Sequence, residues 1–126
     1  MVLLRSLTVG LALLTAAALT GCAGGEAAGG GQGEGETLRF VGNDQLQFSQ
    51  PPERTSAGRR TIELVVEGAV NHNVSFDEIS RGEPVVEADG GETATGTIEL
   101  EPGTYTYFCS VPGHREAGME GTLVVD

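Results

Sequence analysis

The sequence predicts an all-β domain, an antiparallel sandwich, over residues 37–126. Three observations carry that expectation. Apolar and polar residues alternate with a period of two, as in Ile62, Leu64 and Val66 against Thr61, Glu63 and Glu67. Turn residues recur about every eight to twelve positions, as between the strands of a sandwich. Val, Thr and Ile fill the short runs, while Gly is abundant and Trp absent.

The chain begins with a different kind of segment. Residues 1–21 read as a signal peptide: Arg5 is a positive start, and Leu7 to Leu19 form an apolar stretch too short to span a membrane comfortably. Leu19-Thr20-Gly21-Cys22 resembles the bacterial lipobox, which implies a lipid-modified Cys22 as the first mature residue and anchoring by more than one acyl chain. The rival is plain secretion, with cleavage after Ala16-Ala17-Ala18. Residues 22–36 continue as Cys22 followed by Gly, Ala, Glu and one Gln. Without large apolar side chains such a segment is a flexible tether, with a reach of roughly 20 Å.

Thr37 opens the expected domain. Leu38 and Phe40 alternate with Arg39 and Val41 as a first strand, and Leu46 to Phe48 form a second short run. Pro51-Pro52 marks an edge or bend, and Glu53 to Arg60 reads as a loop. Thr61 to Glu67 is a half-buried strand ended by Gly68, and His72 starts a further run with Val74 and Phe76. Residues 77–92 form a long acidic connection around Pro84-Val85-Val86, with room for a short strand or helical turn. Ala94 to Leu100 is a strand with Ile98 and Leu100 inward, and Pro102-Gly103 is a turn. Tyr105, Tyr107 and Cys109 share a face of the next strand, and Gly121 to Val125 is the last. Tyr105 resembles the tyrosine that closes a corner in many Greek-key sandwiches, but ordinary core packing is the reading preferred here.

Net charge is −11, without a single Lys. Loss of residues 1–21 removes Arg5 alone among the charges, which takes −11 to −12. Such a surface disfavours nucleic acid and anionic lipid headgroups and suits a partner with a basic docking face; it also simply keeps an exported protein soluble. Of the two Cys, Cys22 lies in the leader, so Cys109 is a leftover thiol in an exported protein.

Chemistry concentrates in residues 109–119, Cys-Ser-Val-Pro-Gly-His-Arg-Glu-Ala-Gly-Met. Cys109, His114 and Met119 are each five positions apart, a step that would scatter them around a helix. Pro112-Gly113 and Gly118 favour a loop, from which all three can face one space. A thiolate, imidazoles and a weak axial thioether suit a blue-copper centre. The one other imidazole in the chain is His72, in Asn71-His72-Asn73.

These residues resemble the cupredoxin family of small blue-copper proteins, and the C-x4-H-x4-M spacing looks most like its auracyanin kind. The resemblance covers roughly Leu38 to Asp126. It implies a Greek-key sandwich and one copper ion held by His72, Cys109, His114 and Met119. It also implies that the Asn73 N–H bonds the Cys109 sulfur, that the Asn73 side chain ties to Ser110, and that Pro112, Gly113, Ala117 and Gly118 frame His114 as an electron port.

The expectation is therefore a monomeric, membrane-tethered carrier at the extracytoplasmic face, exchanging single electrons with a cytochrome, oxidase or reductase. Copper storage or delivery is the alternative. Zinc would use the thiolate and imidazoles but not the Met. A copper enzyme needs a further metal with its own His ligands and an open position, and two His leave none to spare.

Overall fold

The protein is described by a computed structural model over residues 35–126. The leader, the lipobox with Cys22 and nearly all of the tether lie outside the described residues. Among the described residues no helix is long and apolar enough to cross a membrane.

Among the described residues nine strands follow in order: β1 Thr37–Gly42, β2 Phe48–Ser49, β3 Arg54–Thr55, β4 Gly58–Val66, β5 His72–Phe76, β6 Val86–Ala88, β7 Thr93–Leu100, β8 Gly103–Phe108 and β9 Glu120–Val125. They form two sheets, β2-β1-β4-β7 and β3-β9-β8-β5-β6. Neighbours such as β1 and β4, or β5 and β8, are distant in sequence, as in a Greek key. The fold is the expected all-β sandwich. Its pairing is mixed rather than purely antiparallel, because β1 runs parallel to β4 and β3 parallel to β9.

The period-two pattern becomes the core. Leu38 and Phe40 of β1, Ile62, Leu64 and Val66 of β4, and Ile98 and Leu100 of β7 are buried against Val74 and Phe76 of β5, Tyr107 of β8, and Leu123 and Val125 of β9. Burying each large side chain is worth about 1.5–3 kcal/mol against leaving it in water. Edge-to-face rings join the layers: Phe40 lies 5.5 Å from Phe48 and 5.1 Å from Tyr107. Gly121 faces Tyr107 across β8 and β9, and a Cβ there would collide with the Tyr107 ring and hydroxyl, so the buried ring would have to shift.

One local expectation changes and two open ones are decided. Glu53 to Arg60, read as a loop, contains β3 and the start of β4, because Pro51-Pro52 carries the chain to the other sheet, where β3 adds to the edge of β9. The long acidic connection contains β6, paired with β5. Tyr105 does close a corner, since its hydroxyl donates to the Glu101 carbonyl at 3.0 Å and accepts the Glu101 N–H at 3.2 Å. Its half-buried ring also packs on the core. Glu36, at the end of the expected tether, accepts a 2.9 Å bond from the Thr55 hydroxyl.

β5 positions the functional pole. All five of its residues are buried, although alternation alone would leave Asn73 and Ser75 outside. Their face is roofed by the chain that follows β8, where Ser110 meets both.

Candidate metal centre

β5 delivers His72, the end of β8 delivers Cys109, and the turn between β8 and β9 delivers His114. His72 Nδ1 and His114 Nδ1 lie 3.2 Å apart, and Cys109 Sγ lies 3.9 Å and 3.4 Å from them. His72 and Cys109 are fully buried, and His114 is 7% exposed. Met119, just before β9, is also fully buried. Its N–H donates to the His114 carbonyl at 3.1 Å, and its own carbonyl accepts the Cys109 N–H at 3.0 Å. Pro112, Gly113, Ala117 and Gly118 are exposed around His114.

The local bonds fix which atoms can bind. His72 Nε2 is 3.0 Å from the Asn43 carbonyl, which can only accept, so Nε2 carries the proton. In the neutral ring Nδ1 then keeps its lone pair and turns it towards Cys109 and His114. Burial first, then the neighbouring His114, push His72 below its usual range, which favours that neutral form. Burial pushes the Cys109 thiol up, while the Asn73 N–H, 3.4 Å from Sγ, favours the thiolate. A thiolate here calls for a cation in place of the proton.

Both contacts implied for Asn73 are present. Besides its N–H on sulfur, its Oδ1 accepts from the Ser110 N–H at 2.8 Å and the Ser110 hydroxyl at 3.2 Å. This side chain ties β5 to the chain leaving Cys109. Two participants escape a reading of the sequence. Asn43 presents a backbone carbonyl, which any residue could supply. Gly42 leaves room for the His72 ring, since a Cβ there would lie 2.6 Å from Cδ2. The break in the first apolar run at Gly42-Asn43-Asp44 was the one available signal, and it reads equally as a turn. Asp44 then fastens this loop to the His72 approach, accepting the N–H groups of Ala69 at 3.0 Å and Val70 at 3.2 Å.

Could these residues hold the implied metal? Three donor atoms from three buried residues lie within 4.8 Å of one another. An ion about 2 Å from each nitrogen and about 2.3 Å from sulfur fits between them. One thiolate and two imidazoles form the strong part of a blue-copper donor set. The residues fit the group.

Residues 35–126 match the family of copper binding proteins, plastocyanin/azurin family. The chain belongs to that family. It is 31% identical over 97 residues to a plastocyanin of Synechococcus sp. (strain JA-2-3B'a(2-13)), covering 68% of this chain and 70% of the relative. A shorter stretch of 38 residues is 50% identical to auracyanin-B of Chloroflexus aurantiacus, covering 29% of this chain and 16% of that one. Among solved structures, auracyanin A, described as a "blue" copper protein of the same bacterium, superposes with a TM-score of 0.60 at 28% identity, covering 73% of this chain and all of that one. With its grouped His, Cys and His donors, the chain is a blue-copper electron-transfer protein.

Proposed function

We propose that His72, Cys109 and His114 would hold one copper ion with Met119 as a fourth, weaker ligand, and that the chain carries single electrons between redox proteins at the extracytoplasmic face of a membrane, anchored through Cys22. The observation that carries the copper reading is the meeting of three buried donors from separate places in the sequence. Bound copper supplies a one-electron couple, Cu(I)/Cu(II), at no cost in bond making. The chain's own part is to keep the donors still. Asn43 fixes the His72 tautomer, Asn73 orients Cys109 and braces Ser110, and Met119 is stitched by its backbone to both neighbouring ligands. Partners bonded in this way to ligands commonly govern affinity and potential. A cage that needs no rearrangement between redox states makes transfer fast.

The protein acts as a carrier and not as an enzyme. His72 and His114 are the only two imidazoles in the sequence, so a second, open copper site has no His to use. The test is to load the full chain with Cu(II) and follow its exchange of electrons with a basic cytochrome. Reversible exchange is expected, with a rate that falls as salt rises, since charge steering from the −11 surface is screened. Copper binding without exchange would favour storage or delivery. Insensitivity to salt would remove the basic partner from the account.

For the anchor, the expected result is recovery of the mature protein in the membrane fraction and of Cys22→Ala in the soluble extracytoplasmic fraction. Equal partition of the two would leave plain secretion.

A further inference from the structure

We propose that Arg115 is a positioning residue, whose side chain locks the His114 turn onto the ends of three adjacent strands. The inference rests on the reading of His114 as a copper ligand and names what holds that ligand in place.

The turn has its own backbone bonds. His114 N–H donates to Val111 at 3.0 Å, Ala117 N–H to Gly113 at 3.2 Å, and Gly118 N–H to Arg115 at 2.9 Å. These bonds shape the turn from within, while its outer side needs a separate tie to the sandwich. Gly113 and Gly118, at φ of 87° and 104°, flank His114 and Arg115 with the most permissive residue type. Apart from the His114 ring, which meets His72 and Cys109, Arg115 is the one residue of 111–118 with a side chain hydrogen-bonded outside the segment among the described residues.

Its reach is wide. Nη1 and Nη2 meet the two oxygens of Asp77, directly after β5, at 2.9 Å and 2.7 Å. Nε meets Glu120, the first residue of β9, at 2.8 Å. The guanidinium carbon lies 4.1 Å from the ring centroid of Phe108, the last residue of β8 and the neighbour of Cys109. β9, β8 and β5 are consecutive in the sheet, so one planar group spans all three. Fork geometry and ring stacking are arginine's own, and a lysine ammonium cannot reproduce both. The three charged groups are each more than a third exposed, so the clamp adds little to global stability. Its consequence is local, in the placement of the residue next door.

The test compares Arg115→Leu, Arg115→Lys and Asp77→Asn with the wild type in the full chain. In the copper-free proteins, hydrogen exchange of the 113–118 amides is expected to quicken several-fold in all three. In the copper-loaded proteins, the visible band and the copper hyperfine splitting are expected to change in the same sense in all three. Electron self-exchange should slow by about tenfold, the lower end for loss of an orienting partner. A purely electrostatic role gives another pattern. Arg115→Leu and Asp77→Asn would then move the potential in opposite directions, and Arg115→Lys would behave as wild type. That pattern, or unchanged amide exchange, overturns the proposal. A wild type that gives no blue centre would sink the copper reading alone and leave the exchange result to judge the clamp.

Discussion

Cys109→Ser is expected to abolish the intense visible absorption of the copper-loaded protein while leaving the fold in place. That absorption needs a thiolate bound to copper, and Cys109 is the one cysteine among the described residues. A hydroxyl in its place is a harder donor and does not ionise near neutral pH, so the soft component of the set disappears. The affinity for Cu(I) should fall by more than about a hundredfold, beyond the range for lost outer contacts. Serine is close in size, and the Asn73 N–H can still find an acceptor, so the thermal midpoint should move little. Visible absorption and competition with a Cu(I) chelator measure both effects. A band that survives in the serine variant would place the thiolate ligand elsewhere.

Gly42→Ala is expected to damage the same centre from behind. Gly42 ends β1 in register with Val66 of β4, so its backbone is held by the sheet. An added Cβ would lie 2.6 Å from Cδ2 and 2.9 Å from Cγ of His72. The ring cannot retreat without giving up its 3.0 Å bond to Asn43 or its place 3.2 Å from His114. Overpacking of this kind costs about 1–3 kcal/mol. The expected outcome is a lower thermal midpoint together with weakened copper binding and a perturbed electron paramagnetic resonance spectrum. An alanine variant with wild-type stability and spectrum would mean that His72 does not occupy this position against β1.

These two substitutions also mark what a sequence can and cannot disclose. Cys109 was legible because a leftover thiol in a chain read as exported, followed by His114 and Met119 at equal steps, has few chemical explanations. His72 was legible by being the remaining imidazole, and β4 by its strict alternation. Asn73 and Ser110 were legible only through family resemblance. Gly42 carries no such mark, because a glycine that makes room for a ring 30 positions on looks the same as one that makes a turn. Asn43 acts through its carbonyl, which every residue possesses. Asp77, Arg115 and Glu120 read as ordinary surface charges until strand order brings them together. The parallel pairing of β3 with β9 was hidden for a similar reason: a two-residue strand has too few positions to show a period, and its partner lies at the far end of the chain. Local pattern declares itself, whereas long-range register does not.

The most direct measurement is X-ray absorption at the copper edge on the full chain loaded with one equivalent of Cu(II). The innermost shell is expected to contain one sulfur and two imidazole nitrogens, with the sulfur lost in Cys109→Ser. A shell of oxygen and nitrogen alone, or one with a single imidazole, would contradict a centre built from His72, Cys109 and His114.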